Sequence, residues 1–516
     1  MANKTLFSST PALKAADTRN LAGGRAYSLS AKAALAQMVV TGVFNDTFYA
    51  SAKSQLDAAK QLVSQVEPTF LAKLAVYARE NAYMKDMPAY LCASLASQDS
   101  ELLAKAFERV IDNGKMLRNF VQIVRSGATG RRSLGTRPKK LVARWLQESS
   151  DRAFLAATVG NAPSLADVIR LAHPKAESDS RQAMFNHVLG RPFEPGALPQ
   201  NVRDLLAFRK GESIVVPNVS FELLTSLELS KKDWVQIARN ASWTQTLKNL
   251  NTFMRHGVLE RRDMVEMLAS RLRDAEQLRA ARAFPYQLLA AYRNVEESMP
   301  VALTEALQDA MELAVANVPA FECQVAVLVD TSGSMGNPVT GARKGATSKV
   351  RYVDVASVFA SAVLRNNRDA LVVPFDTQVH TDCRLNPRDS VMTNARTLAG
   401  FGGGGTRCGA ALRHLNETQA KAALVVYISD NESWLGAGRR NTTEVMEEWG
   451  RYKRRVRGAK LVCIDISPNT TTQAATAHDV LNVGGFSDAV FSVVQRFASG
   501  QTSGEHWVSE IEKVKL

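Results

Sequence analysis

The feature that most constrains this chain is a change of hydrophobic period near Pro319. From Leu29 to that point apolar residues recur at three- and four-residue spacing, as in 31–40, 70–80, 104–111, 139–147 and 265–280. That is the pattern of helices burying one face. Helix stops are read at Gly42, Pro88, Gly114, Pro163, Pro174 and Gly190, because glycine and proline punctuate helical segments. Helix pairs of roughly 35 to 45 residues recur, which predicts an irregular α-solenoid of the HEAT type with a concave surface. Beyond Pro319 short apolar runs at 324–330, 370–375, 422–430 and 460–467 alternate with helical stretches at 352–365, 407–416, 442–455 and 488–497. Strands alternating with helices predict an α/β, doubly wound parallel sheet. Two domains are expected, a helical one over 1–318 and an α/β one over 319–516, with residues 1–20 irregular.

One expected strand exit carries chemistry. The apolar run ending at Val329 leads into Asp330, with hydroxyls at Ser332 and Ser334. In open α/β sheets ligands bind at the carboxyl ends of strands. One carboxylate with two neutral hydroxyls suits a hard divalent cation, above all Mg²⁺, which keeps several waters. The alternative is a strand-turn in which Asp330 and Ser332 cap the next helix. A second run ends in Ser429-Asp430-Asn431-Glu432, and Phe401-Gly402-Gly403-Gly404-Gly405 delivers Thr406. Together Asp330, Ser332, Ser334, Thr406 and Asp430 resemble the metal-ion-dependent adhesion site of von Willebrand factor A domains. That resemblance implies an open coordination position filled by a partner's carboxylate.

A hydrophobic fraction of 46% fits a globular protein of two or three domains at 516 residues. No apolar run reaches the length of a membrane span, and the start lacks a basic segment followed by an apolar core. The cysteines (Cys92, Cys323, Cys383, Cys408, Cys463) are odd in number and lack Cys-x-x-Cys spacing. This points to a reducing cytoplasm rather than a zinc cluster or disulfide scaffold.

The net charge of +14 and pI near 9.6 favour polyanionic partners. The segment 125–144 carries Arg125, Arg131, Arg132, Arg137, Lys139, Lys140 and Arg144 with no acidic residue. Its glycines let backbone amides approach phosphates. A nucleic-acid surface is the reading here, against the alternative of a solvated face. For the second string, 451–460, the solvated face is preferred.

Across both domains the chain resembles the Ro autoantigen family, a TROVE module followed by a von Willebrand A domain, and specifically its bacterial members. The resemblance rests on Arg19-Asn20-Leu21-Ala22-Gly23-Gly24, on Gly135 through Trp145, and on Arg170-Leu171-Ala172-His173-Pro174-Lys175. It extends through Trp243 to Asn251, Arg282 to Tyr286, Asp330 to Met335, Gly404 to Cys408 and Ser429 to Trp434. It implies HEAT-like helices closed into a ring and pinned by the A domain. It also implies small structured Y RNAs on the basic surface, and single-stranded 3′ ends of misfolded RNAs at a central hole. A ribonucleoprotein acting in RNA quality control, working with polynucleotide phosphorylase or another exoribonuclease, is the implied role, and a monomer is expected. The resemblance carries RNA contact to Lys139, Lys140, Arg170, His173 and Lys175. Arg131, Arg132, Arg137 and Arg144 join on charge. His173, beside Pro174, has the alternative of a plain helix-end residue. Arg407 departs from the vertebrate pattern and is expected to add positive charge beside the cation. The loop 336–349 looks like an extended insertion without an assigned role.

Two other functional classes compete. A metal-dependent protein-adhesion scaffold without direct RNA binding has no need of the basic segment 125–144. A nuclease would need clustered carboxylates for paired metals, and no such cluster is apparent in the helical part. Walker A, Gly-x-Ser-x-Gly and His-Glu-x-x-His signatures are absent, so a non-enzymatic RNA binder is expected.

Overall fold

The computed structural model describes residues 13–41, 44–46, 50–281, 283, 285–315, 318–341, 349–436, 441–467, 469–485, 488–501 and 506–516. Gly42, Arg282, Phe284 and residues 342–348 of the 336–349 loop fall outside them. The chain forms two compact units. One joins Met1–Leu62 to Val315–Glu510, and the other holds Val63–Ala314 with the terminal Ile511–Leu516. Among the described residues, those between 13 and 62 fall in the same unit as the α/β part.

The second unit is helical. Pro68–Glu80 packs on both Asp86–Gln98 and Ser100–Val110, and Asp86–Gln98 packs on Gly114–Arg125. Ser100–Val110 in turn meets Thr136–Glu148, which meets Leu165–Ala172. Each helix thus touches the next or the next but one, the two-layer stacking of a solenoid. The Gly114–Arg125 helix shows why: Met116, Leu117, Phe120, Val121 and Val124 are buried along one stripe. Two expected stops instead open helices. Gly114 is the first helical residue after the cap Asn113, and Pro88 lies in the first turn of Asp86–Gln98, where a missing N–H costs nothing. The segment expected as one helix over 265–280 is broken at Asp274, whose carboxylate accepts from the amides of Glu276 and Gln277 and starts a new helix.

In the first unit the strands, in chain order, are β1 (Thr18–Arg19), β2 (Arg25–Ser28), β3 (Val325–Asp330), β4 (Leu371–Phe375), β5 (Leu424–Ser429), β6 (Lys460–Asp465), β7 (Thr471–Thr472) and β8 (Val480–Gly484). The main sheet is parallel in the order β4-β3-β5-β6-β8. β3 and β5 are buried along their whole length, as expected of strands covered on both faces. Val445, Met446, Trp449 and Tyr452 of the Glu444–Arg455 helix join Leu328, Val425 and Tyr427 in the core. β8 adds a strand beyond those expected, since Val480-Leu-Asn-Val-Gly484 is short and closely follows β6. Residues 13–20 are not wholly irregular: β1 pairs with β2, and β2 pairs with β7, in a small antiparallel sheet. The Ala31–Thr41 helix packs on β8. There a Cβ on Gly484 would come within 2.8 Å of the Gln37 Cβ.

Candidate metal centre and candidate nucleic-acid interface

The register Val329↔Ile428 brings the exits of β3 and β5 side by side, so Asp330 and Asp430 converge although 100 residues separate their numbers. The chain turns sharply after β3. The Ser332 amide donates to Asp330 Oδ1 at 2.8 Å, and the Ser429 hydroxyl donates to Asp330 Oδ2 at 2.7 Å. Ser332 and Ser334 hydroxyls lie 3.3 Å apart, and the Ser334 hydroxyl also bonds Asp430. The Glu432 amide donates to Asp430 Oδ1 at 3.2 Å. The glycine loop closes the third side. Gly403 N donates to Thr331 O at 2.8 Å and Gly333 N to Gly404 O at 2.9 Å. At Gly402, with φ +85°, a Cβ would lie 2.1 Å from Thr331 O, so only glycine fits. The loop delivers Thr406, which is 2% exposed.

All five oxygen-bearing residues are buried, Asp330 at 0% and Asp430 at 3% exposure. Neither carboxylate has an ion pair among the described residues. Burial and the neighbouring Asp430 push the Asp330 carboxyl up to about 7, and burial also raises Asp430. Two acids held dry and close resist ionisation unless a cation joins them. Hydroxyls beside them supply neutral hard oxygens, so the donor set fits a divalent ion bound through oxygen. Among the described residues no group of three or more His, Cys, Asp or Glu is placed for a metal. The donor character therefore rests on two carboxylates and hydroxyls. Asp330 Oδ1 accepts from the amide of Ser332, which stands at the N-cap of the short 3-10 turn Gly333–Gly336 but makes no side-chain cap bond, and Asp330 Oδ2 faces Ser429 instead.

The helical unit carries a second feature, a cavity of about 990 Å³ at the start of the Thr136–Glu148 helix. Arg125, Arg132, Lys139, Lys140, His173 and Lys175 line it, together with Ser133, Thr136 and Gln147. No acidic residue does. The N-cap is Gly135, at φ +71°, without a side-chain cap. The first amides and the positive end of the helix dipole are thus left for an anion. Gln147 bonds the Lys175 carbonyl at 2.6 Å, tying the far wall to the helix. Neither the five Lys and Arg side chains nor that of His173 makes an ion pair or side-chain hydrogen bond among the described residues.

Comparison with known proteins agrees with this architecture. A family model described as the Ro60 vWA domain matches residues 324–498. The RNA-binding protein RO60 of Deinococcus radiodurans is 26% identical over 95% of this chain and 97% of its own length. The crystal structure of the Deinococcus radiodurans RO (RSR) protein superposes with a TM-score of 0.63 at 21% identity, over 92% of this chain and 100% of that one. The chain is similar to bacterial Ro along nearly its whole length.

In this chain the expected residues divide sharply. Arg132, Lys139, Lys140, His173 and Lys175 come together in the cavity. Four others are drawn elsewhere. Arg131 reaches the Ala96 carbonyl, Arg137 pairs with Glu101, Arg144 with Glu108 and Glu148, and Arg170 with Asp167. His173 stands at a helix end and at the cavity together. It ends the Leu165–Ala172 helix in a left-handed conformation, φ +49°, and lines the cavity. Arg407 does not add free charge beside the cation site. Its Nε and Nη2 donate to Glu444 Oε2 and Oε1, each at 3.0 Å, and Arg413 also meets Glu444. The second basic string behaves as structure: Arg451 pairs with Glu448, Lys453 with Asp479, and Arg455 caps the Leu415 and Ala420 carbonyls.

Arg125 belongs to the basic segment, yet only the fold shows that it faces the cavity. Ser133, Thr136 and Gln147 are invisible to a reading by charge, because uncharged donors carry no compositional signal. Ser429, the partner of Asp330, has a signal in the sequence: it ends an apolar run beside Asp430. The five cysteines are unpaired. Among the described residues no helix is long and apolar enough to cross a membrane.

Proposed function

We propose that this chain is a non-catalytic RNA-binding protein of RNA quality control, holding small structured RNAs through their phosphates on the helical unit. The observation that carries the reading is the basic cavity, where five Lys and Arg residues and His173 gather at an uncapped helix start without an acid among them. Phosphate contacts give affinity without a demand on sequence, which suits capture of many aberrant RNAs. Shape recognition of duplex and threading of loose 3′ ends supply selection. A Y RNA-like ligand and a cooperating exoribonuclease such as polynucleotide phosphorylase belong to this proposal, as do a cytoplasmic setting and a monomeric state. The unpaired cysteines agree with a reducing compartment.

The A domain would hold Mg²⁺ through Asp330, Ser332, Ser334, Thr406 and Asp430. The ion supplies an electrophilic position for a carboxylate oxygen of a partner. The chain's own residues orient it and exclude water from the two acids. The test of the whole reading is an RNA-binding titration at several salt concentrations, on a stem-loop with and without a single-stranded 3′ tail. Tight, salt-steep binding supports it, and weak binding indifferent to salt would end it.

A further inference from the structure

The segment Arg19–Gly24 lies against the loop that presents Asp430. The Asn20 side chain donates to Ser433 O at 2.8 Å and Asn431 O at 3.4 Å. The Ala22 amide donates to Glu432 Oε2 at 3.0 Å, while Asn469 donates to Glu432 Oε1 at 2.6 Å. The hairpin closes on itself through Gly24 N to Asn20 Oδ1 at 2.7 Å. The fit leaves no slack, since a Cβ on Gly24 would stand 2.0 Å from Ser433 O. From the other side Gln473 Nε2 donates to Asn431 O at 3.1 Å and to Arg25 O at 3.4 Å.

The same loop reaches the opposite wall of the metal centre. Ser433 Oγ accepts from the Cys408 amide at 3.0 Å and donates to Thr406 O at 3.3 Å. Leu435 N donates to Thr406 O at 3.2 Å. Residues 431–435 are therefore clamped between the hairpin and the Thr406 segment, with Asn431 at φ +58°. A non-glycine residue keeps such a conformation only when its surroundings impose it.

Building on the divalent-cation reading, we propose that the hairpin Arg19–Gly24 is a positioning element of the metal centre. It acts through Glu432 and Ser433 to hold Asp430 and Thr406 in place for the ion. The cation site is then a composite of residues more than 400 positions apart.

The test is Mn²⁺ binding to the full chain, stripped with chelator and followed by loss of the free-ion paramagnetic resonance signal, with Mg²⁺ as competitor. Partners behind metal ligands change affinity by roughly tenfold to a hundredfold when removed. Glu432→Ala should weaken Mn²⁺ at least about tenfold on that scale. Glu432→Gln, which keeps an acceptor for the Ala22 amide, should restore most of the affinity. Gly24→Ala, which pushes on Ser433 without touching a ligand, should weaken binding in the same direction. Urea unfolding in chelator keeps affinity apart from folding, and Asn20→Ser serves if either variant does not fold. Binding within twofold of wild type in Glu432→Ala and Gly24→Ala overturns the inference. So does Glu432→Gln behaving like Glu432→Ala, because Glu432 would then act through charge alone. If wild type binds Mn²⁺ and Asp330→Ala abolishes it, the cation reading stands whatever the hairpin variants do. If wild type binds none, both fall together.

Discussion

The candidate metal centre and the basic cavity place charge in opposite ways. At the centre, two acids are 0% and 3% exposed and fixed by strand register and short backbone hydrogen bonds. At the cavity, the cations are mostly exposed long side chains, and what matters is which of them lack a partner. A buried site is defined by backbone geometry and tolerates few changes. An exposed one is defined by the balance between free and paired charges, and surface ion pairs are worth little individually. The first should fail abruptly on substitution and the second by degrees.

The largest effect should come from Asp330→Ala, which removes the carboxylate joining both sides of the centre. Calorimetric titration should show loss of Mg²⁺ and Mn²⁺ binding, while stem-loop RNA affinity stays within twofold. A variant that still binds the ion as wild type does would break the assignment of the centre.

Next is the Lys139→Ala, Lys140→Ala pair. RNA affinity should fall at least about tenfold, and the slope of log affinity against log salt should shrink by about 2, one for each phosphate no longer neutralised. An unchanged slope would move the RNA off this cavity.

The third effect concerns pH. In metal-free protein the Asp330 carboxyl stands at about 7 against an ordinary 3.8. Between those values the native chain keeps a proton that the unfolded chain has released. The native state therefore binds more protons, and stability falls as pH rises through that window. Melting in chelator should show this decline, and saturating Mg²⁺ should reverse it by favouring the ionised pair. A melting temperature rising across the window in chelator would contradict the picture.

The smallest effect sharpens the contrast within one basic stretch. Arg144→Ala and Arg170→Ala should change RNA affinity less than twofold, since both side chains are already paired with acids. A drop comparable to that of the lysine pair would mean that the paired arginines exchange their partners for phosphate.

What the sequence determined by itself was most of the helices and the strands β3, β4, β5 and β6, together with the run of oxygen-bearing residues after β3. Periodicity separates helices from strands, and Asp330-x-Ser-x-Ser at a strand end puts three oxygen-bearing side chains in one turn. Local spacing carries that information, because neighbours in the chain are neighbours in the turn. The glycine loop before Thr406 was legible for the same reason. Tertiary structure alone decided the rest. Arg132 and Lys139 remain free while Arg137 and Arg144 find Glu101 and Glu108 on a neighbouring helix, and no local pattern reports a partner about 36 residues away. Likewise Asn20 and Gly24 read as a loop in sequence. Only folding brings them onto Ser433, where a carbonyl in need of a donor and a space too small for a Cβ give them their purpose.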